Sequence, residues 1–149
     1  MSDPVEKVNS TRDGVQLLGL TRFSVLTTWG FQVGFETPEE GRAFLYDPKR
    51  MDQRFAWFEN VTLPSLAAQK DDAFRIIVMM SEDLPEPWRS RMEAHIAAVP
   101  QLVADYVPYG KHRSICADAI RRHTDPKAEA IAQFRLDDDD AVAIDFTLI

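Results

Sequence analysis

The stretch FRIIVMMS at 74–81 limits the fold more than any other part of the chain. It is a nearly continuous apolar run of strand length, without the polar-apolar alternation of a strand that faces water on one side. Only a strand covered on both faces buries both sets of its side chains, and such strands belong to parallel sheets with helices on either side.

The segments around it fit that requirement. VQLLGLTRFSV (15–25) reads as a buried strand that runs into a polar turn at Thr21-Arg22. Residues 29–48 mix turn residues with scattered aromatics and predict a long loop. From Pro48 onward, Met51, Phe55, Phe58, Thr62, Leu66 and Gln69 form a helical stripe that Pro64 kinks or restarts. SEDLPEPWRSRMEAHIAAVP (81–100) confines Pro85 and Pro87 to its beginning. It places Trp88, Met92, Ile96 and Val99 on one helical face and stops at Pro100. LVADYVPY (102–109) is a third strand, 112–126 a short helix with Ile115, Ala119 and Ile120 inward, and EAIAQFRL (129–136) a fourth strand. Strand and helix alternate from end to end, which predicts an α/β fold with a mostly parallel sheet and flanking helices. Residues 1–14, rich in Ser, Asn, Asp and Lys, are expected as a flexible leader, and 15–149 as one domain.

Composition narrows the function. Lys and Arg number 17 against 24 Asp and Glu, a net charge of −7, with no basic stripe for a nucleic-acid backbone. No apolar run is long enough to cross a bilayer, and the polar start lacks a signal-peptide core. The single Cys116 has no partner for an internal disulfide and reads as a buried structural thiol, so a cytoplasmic location is expected.

The fourth strand ends in Asp137, Asp138, Asp139 and Asp140. Neighbouring charges at roughly 6 Å repel by about 0.7 kcal/mol in water, and by about 3 kcal/mol at an effective dielectric near 20. In solvent the run needs no function, and Asp140 would serve as N-cap to a helix beginning AVAIDF. At the carboxyl end of a strand in a parallel sheet, where ligands bind, it calls for a cation. A calcium loop starting at Asp137 would need Gly and Glu where Val142 and Leu148 stand. A haloacid-dehalogenase pattern on Asp138, Asp140 and Val142 would lack its downstream residues, and a nucleotidyltransferase would need a Gly-Ser loop that is missing. An Asp-x-Asp motif that holds Mn²⁺ or Mg²⁺ against a sugar nucleotide's diphosphate fits, with 137–139 or 138–140 supplying the pattern. His95 is expected to pack beside Trp88, Met92 and Ile96, while His112 and His123 have no partner at metal-ligand spacing.

LTRFSV near the start, LPSLAAQ (63–69), the strand ending SEDLP and FRLDDDDAVAIDF (134–146) together resemble the rhamnosyltransferase family of bacteria, glycosyltransferases of the GT-A type. The resemblance runs from about Leu18 onward and is sharpest from Arg135 to Phe146. It implies a Rossmann-like half of a GT-A fold whose acid motif ends a central strand. Asp137, Asp139 and Asp140 would bind Mn²⁺ or Mg²⁺, with Asp138 beside them toward the donor. Arg22 would line the nucleotide pocket, Ser81, Glu82 and Asp83 would touch base or ribose, and Lys111 and Arg113 could face the diphosphate. It implies a nucleotide-sugar donor and a carbohydrate acceptor as partners. A GT-A domain continues into an acceptor-binding half, and here nine residues follow Asp140. The expectation is therefore a donor-binding half, incomplete as a catalyst and prone to self-association. A non-catalytic module that holds a cation or a basic partner is the alternative.

Overall fold

The structure, a computed structural model, describes residues 5–28 and 35–148. Its strands are β1 (Thr11–Arg12), β2 (Val15–Phe23), β3 (Arg75–Ser81), β4 (Leu102–Val107) and β5 (Ala130–Arg135). Its helices are α1 (Pro38–Leu45), α2 (Pro48–Trp57), α3 (Leu63–Ala67), α4 (Trp88–Ala98) and α5 (His112–His123), with a π-helical turn over Phe58–Thr62 between α2 and α3. The fold is mixed α/β. Four parallel strands lie in the spatial order β4, β3, β2, β5, and the two-residue β1 runs antiparallel to the start of β2.

The apolar run of β3 divides as its composition requires. Ile76, Val78 and Met80 point to one face, where Phe23, Met51, Phe55, Phe58, Met92 and Leu102 form the larger core. Ile77 and Met79 point to the other, against Leu18, Leu20, Ile115, Cys116 and Ala119. So α2, α3 and α4 cover one face and α5 the other. The first core is aromatic: the Phe23 and Phe55 ring centroids lie 4.7 Å apart, and Trp88 stacks on Phe55 at 6.0 Å. Truncation of Phe55 to alanine would cost about 3–5 kcal/mol.

The helical stripe is realised, with Met51, Phe55, Phe58, Thr62 and Leu66 all buried. Pro64 does not break it. The chain widens into the π-helical turn just before, where the Leu63 amide donates to the Phe58 carbonyl, and the same face continues inward.

Five expectations are corrected. The described part of the leader, 5–14, is docked: the Val5 and Val8 amides donate to the carbonyls of Ala97 and Pro100, Lys7 Nζ donates to Val99 at 3.1 Å, and Thr11–Arg12 pairs with β2. Polar composition masked backbone pairing, which is indifferent to side-chain type. Thr21 and Arg22 lie within β2 rather than in a turn, because β3 pairs with both. The long loop contains α1, which opens on Thr37-Pro38-Glu39-Glu40. Thr37 Oγ1 accepts from the Glu40 amide at 3.2 Å, and Pro38 sits where no amide is needed; residues 29–34 lie outside the described residues. No helix follows the aspartates among the described residues; 141–148 is a series of turns. Finally, among the described residues β5 pairs only with β2 and is thus an edge strand, not a central one.

No described helix is long and apolar enough to cross a membrane.

Candidate functional site

The register of the sheet brings the site together. β2 and β5 are parallel with Leu20 opposite Arg135, and the Leu136 amide continues the ladder to the Leu20 carbonyl at 3.1 Å. The next residues therefore emerge beside the end of β2. Arg22, on the α5 face like Leu18 and Leu20, points its Nη2 to within 4.0 Å of Asp137 Oδ1. The two motifs share one rim.

The four aspartates do not behave alike. Asp138 turns inward and is 4% exposed, whereas Asp137, Asp139 and Asp140 are exposed. One oxygen from each of those three lies within 4.8 Å of the others. A turn supports the arrangement, with the Asp140 amide donating to the Asp137 carbonyl at 3.1 Å. Hard divalent cations take carboxylate oxygens and leave sites for phosphate and water. Three convergent, solvent-facing carboxylates fit such an ion in donor type and spacing.

Asp138 is held by Arg54 of α2, whose Nε donates to Oδ2 at 3.0 Å and whose Nη2 pairs with Oδ1. Arg54 Nη1 also reaches Asp139 Oδ2 at 3.4 Å, and its guanidinium lies 5.1 Å above the Trp57 ring. Sequence reasoning missed Arg54. Its signal was position: Met51, Arg54, Phe55 and Phe58 follow the i, i+3, i+4, i+7 pattern of a core-facing stripe, so a charge stands where an apolar residue is expected.

The chain beyond the aspartates is clamped by two further residues. Ser65 Oγ accepts from the Val142 amide at 3.3 Å. Gln69 donates to the Ala143 carbonyl at 2.7 Å and accepts from the Thr147 amide and hydroxyl, both at 3.1 Å. Both belong to LPSLAAQ, which thus serves to seat the segment after the acid loop.

On the other side of Arg22, its Nη1 lies 2.7 Å from His112 Nε2, and that nitrogen lies 3.4 Å from Cys116 Sγ. The one-turn spacing of His112 and Cys116 was overlooked in the sequence. Burial first, then Arg22 and Arg135, hold the His112 imidazole below its usual range, and burial pushes the Cys116 thiol up. Cys116 is buried, as expected.

The remaining candidates make other contacts. Ser81 is buried, and its Oγ accepts from the Leu26 amide at 2.9 Å, which ties down the segment after β2. Asp83 accepts from Arg42 at 2.5 Å and from the Tyr46 hydroxyl at 2.7 Å. The Glu82 amide donates to the Val107 carbonyl. Lys111 and Arg113 are exposed at the start of α5. His95 is half-buried against Phe58 and contacts Glu59 at 2.9 Å. His123 contacts Asp105 at 2.9 Å, a carboxylate partner that sequence spacing did not suggest.

The chain matches the model of the family described as "Putative rhamnosyl transferase" over residues 16–148. No curated protein and no solved structure matches it. The matched span takes in all but the first residue of the four parallel strands, Arg22, Arg54 and the whole acid loop, and the chain belongs to this rhamnosyl transferase family.

Proposed function

We propose that the chain binds a nucleotide-sugar donor through a divalent cation, Mn²⁺ or Mg²⁺, held by Asp137, Asp139 and Asp140, in the manner of a GT-A glycosyltransferase. The observation that carries the proposal is the convergence of those three carboxylates at the carboxyl end of β5 in a chain of this family. Strand order supports it. Numbered among themselves along the chain, the parallel strands run 3-2-1-4, the order of a nucleotide-binding doubly wound sheet. In such sheets the ligand lies beyond the strand ends where the order reverses, between β2 and β5 here.

In this assignment Arg22 faces the donor phosphates from the rim, its charge partly offset by Asp137. A bound divalent cation supplies stabilisation for the negative charge that develops on the departing nucleoside diphosphate. Asp138 is occupied by Arg54, and Ser81 by a backbone amide, so donor contact falls to Arg22 and the three outward carboxylates; Asp83 is within reach only if Arg42 and Tyr46 release it. The acceptor, a carbohydrate, is assigned to no residue here. Self-association would use the exposed Ile144, Phe146 and Leu148.

The test is calorimetric titration of a nucleoside diphosphate with and without Mn²⁺. Affinity rises about tenfold or more with the ion, and Asp139→Ala removes most of the gain. Binding indifferent to Mn²⁺ ends the proposal.

A further inference from the structure

We infer that Arg54 is a positioning residue for the acid loop: by holding Asp138 inward, it selects which three of the four aspartates converge. The inference rests on the metal-binding assignment only for its functional meaning; the positioning itself is a property of the chain.

Four consecutive acids offer two registers for an Asp-x-Asp pair, 137 with 139 or 138 with 140. A free loop would sample both, because each carboxylate gains by turning to water and away from its neighbours. In the folded chain both oxygens of Asp138 are engaged by one guanidinium, through Nε at 3.0 Å and through Nη2. Two parallel hydrogen bonds fix the plane of the carboxylate as well as its position. Asp138 thereby becomes a buried anchor, and the backbone on either side sends Asp137 and Asp139 outward. The turn from the Asp140 amide to the Asp137 carbonyl adds the third carboxylate to the same side. Arg54 is itself well placed to act as an anchor. It stems from α2 between the buried Met51 and Phe55, lies over Trp57 and is only 20% exposed. Ser65 and Gln69 hold the chain beyond the loop and the β2 ladder holds it before, so Arg54 acts on a stretch fixed at both ends.

Arg54 also sets the charge that a cation meets. It cancels the charge of Asp138, which leaves three acids facing solvent. Its third nitrogen, at 3.4 Å from Asp139, relieves part of the repulsion among them while no ion is bound. A buried pair of this kind is costly to break by removal of one partner, because the other charge is left without compensation. Without Arg54, Asp138 must turn to solvent, and the turn that gathers the other three goes with it.

Two measurements test this. The first uses no metal: crystal structures of Arg54→Met and of the double variant Arg54→Met/Asp138→Asn. Asp138 is expected at the surface in the single variant, and position 138 buried again in the double variant, which has no charge to shed. Asp138 still buried in Arg54→Met overturns the inference. The second is titration with Mn²⁺ alone. Affinity is expected to fall about tenfold or more in Arg54→Met, and to return to within about threefold of the unaltered chain in the double variant. Unchanged affinity in a folded Arg54→Met overturns the inference, as does a double variant as weak as Asp139→Asn, since Asp138 would then be a ligand itself. If Arg54→Met does not fold, the double variant decides alone by its loop conformation and Mn²⁺ affinity. If the unaltered chain binds no Mn²⁺, the metal assignment fails while the crystal structures still decide the positioning.

Discussion

Asp105 and Asp138 are buried almost equally, at 6% and 4% exposure, and each is gripped through both oxygens by an arginine from a helix. Their settings differ. Asp105 sits in β4, its backbone in register with Met79, and receives Arg122 and His123 from the end of α5. Nearby, Gln16 Nε2 donates to the His123 carbonyl and Gln16 Oε1 accepts from the Asp125 amide, so the network closes on itself. Asp138 sits in a loop, and its pair leaves three more carboxylates facing solvent with one arginine edge among them. The same local device fastens a helix in one place and shapes an open anionic surface in the other. What a buried ion pair leaves unsatisfied around it says more about function than the pair does.

The contrast can be broken or sharpened in order of expected effect. Asp105→Ala deletes three hydrogen bonds to charged or chargeable partners from a rigid strand, and should lower unfolding free energy by about 3 kcal/mol. It should leave Mn²⁺ affinity unchanged; a loss of ion binding in this variant would dissolve the distinction between the two sites. Arg54→Met should cost less stability, about 2 kcal/mol, because the loop can release Asp138 to water. Denaturant unfolding that shows Arg54→Met as the more damaging of the two would reverse the argument.

A third carboxylate refines the scale. Glu59, in the π-helical turn, accepts two hydrogen bonds from Arg91 at 2.7 and 2.9 Å and lies 2.9 Å from His95. Arg91, then His95, bring its pKa from 4.5 down to about 2 against the opposing pull of burial. A depressed carboxylate stabilises the fold fully above its unfolded value. That contribution should disappear as pH falls from about 4.5 toward about 2. Glu59→Gln should flatten the thermal stability profile in that window; an unaltered slope would remove Glu59 from the comparison. Smallest of all, Arg121→Ala should change stability by less than about 0.5 kcal/mol, since Arg121 and Asp118 are 77% and 55% exposed.

Much of the fold was legible because it rests on short-range periodicity. The run 74–81 announced a doubly covered strand, and the stripe from Met51 to Leu66 announced a helix with one buried face. The anchor does not come from local pattern: Arg54 and Asp138 are 84 residues apart, and only the packing of α2 against the end of β5 joins them. The helix expected after Asp140 failed for a related reason. AVAIDF is apolar enough to coil, yet the backbone groups of Val142, Ala143 and Thr147 are taken by Ser65 and Gln69, and Lys70 donates to Ile144. Tertiary partners outbid the helix for its own hydrogen bonds. α1 was readable from Thr37-Pro38-Glu39-Glu40 and was obscured by the aromatics around it.

Gly19 carries a consequence for how sequences of this kind can drift. It lies in β2 between its partners Ile76 on β3 and Phe134 on β5. A methyl group built there would come within 2.6 Å of Ile76 Cδ1 and of Phe134 Cζ. The vacancy of a side chain at 19 is filled by a ring from the very strand that ends in the aspartates, and that ring meets Phe146 beyond them at 5.0 Å. Even alanine would wedge β5 outward or force Phe134 to another rotamer, at about 1–3 kcal/mol. With Phe134 in its present rotamer, position 19 has room for glycine alone. One absent side chain in the first half of the chain thus fixes where the acid loop of the last half can stand.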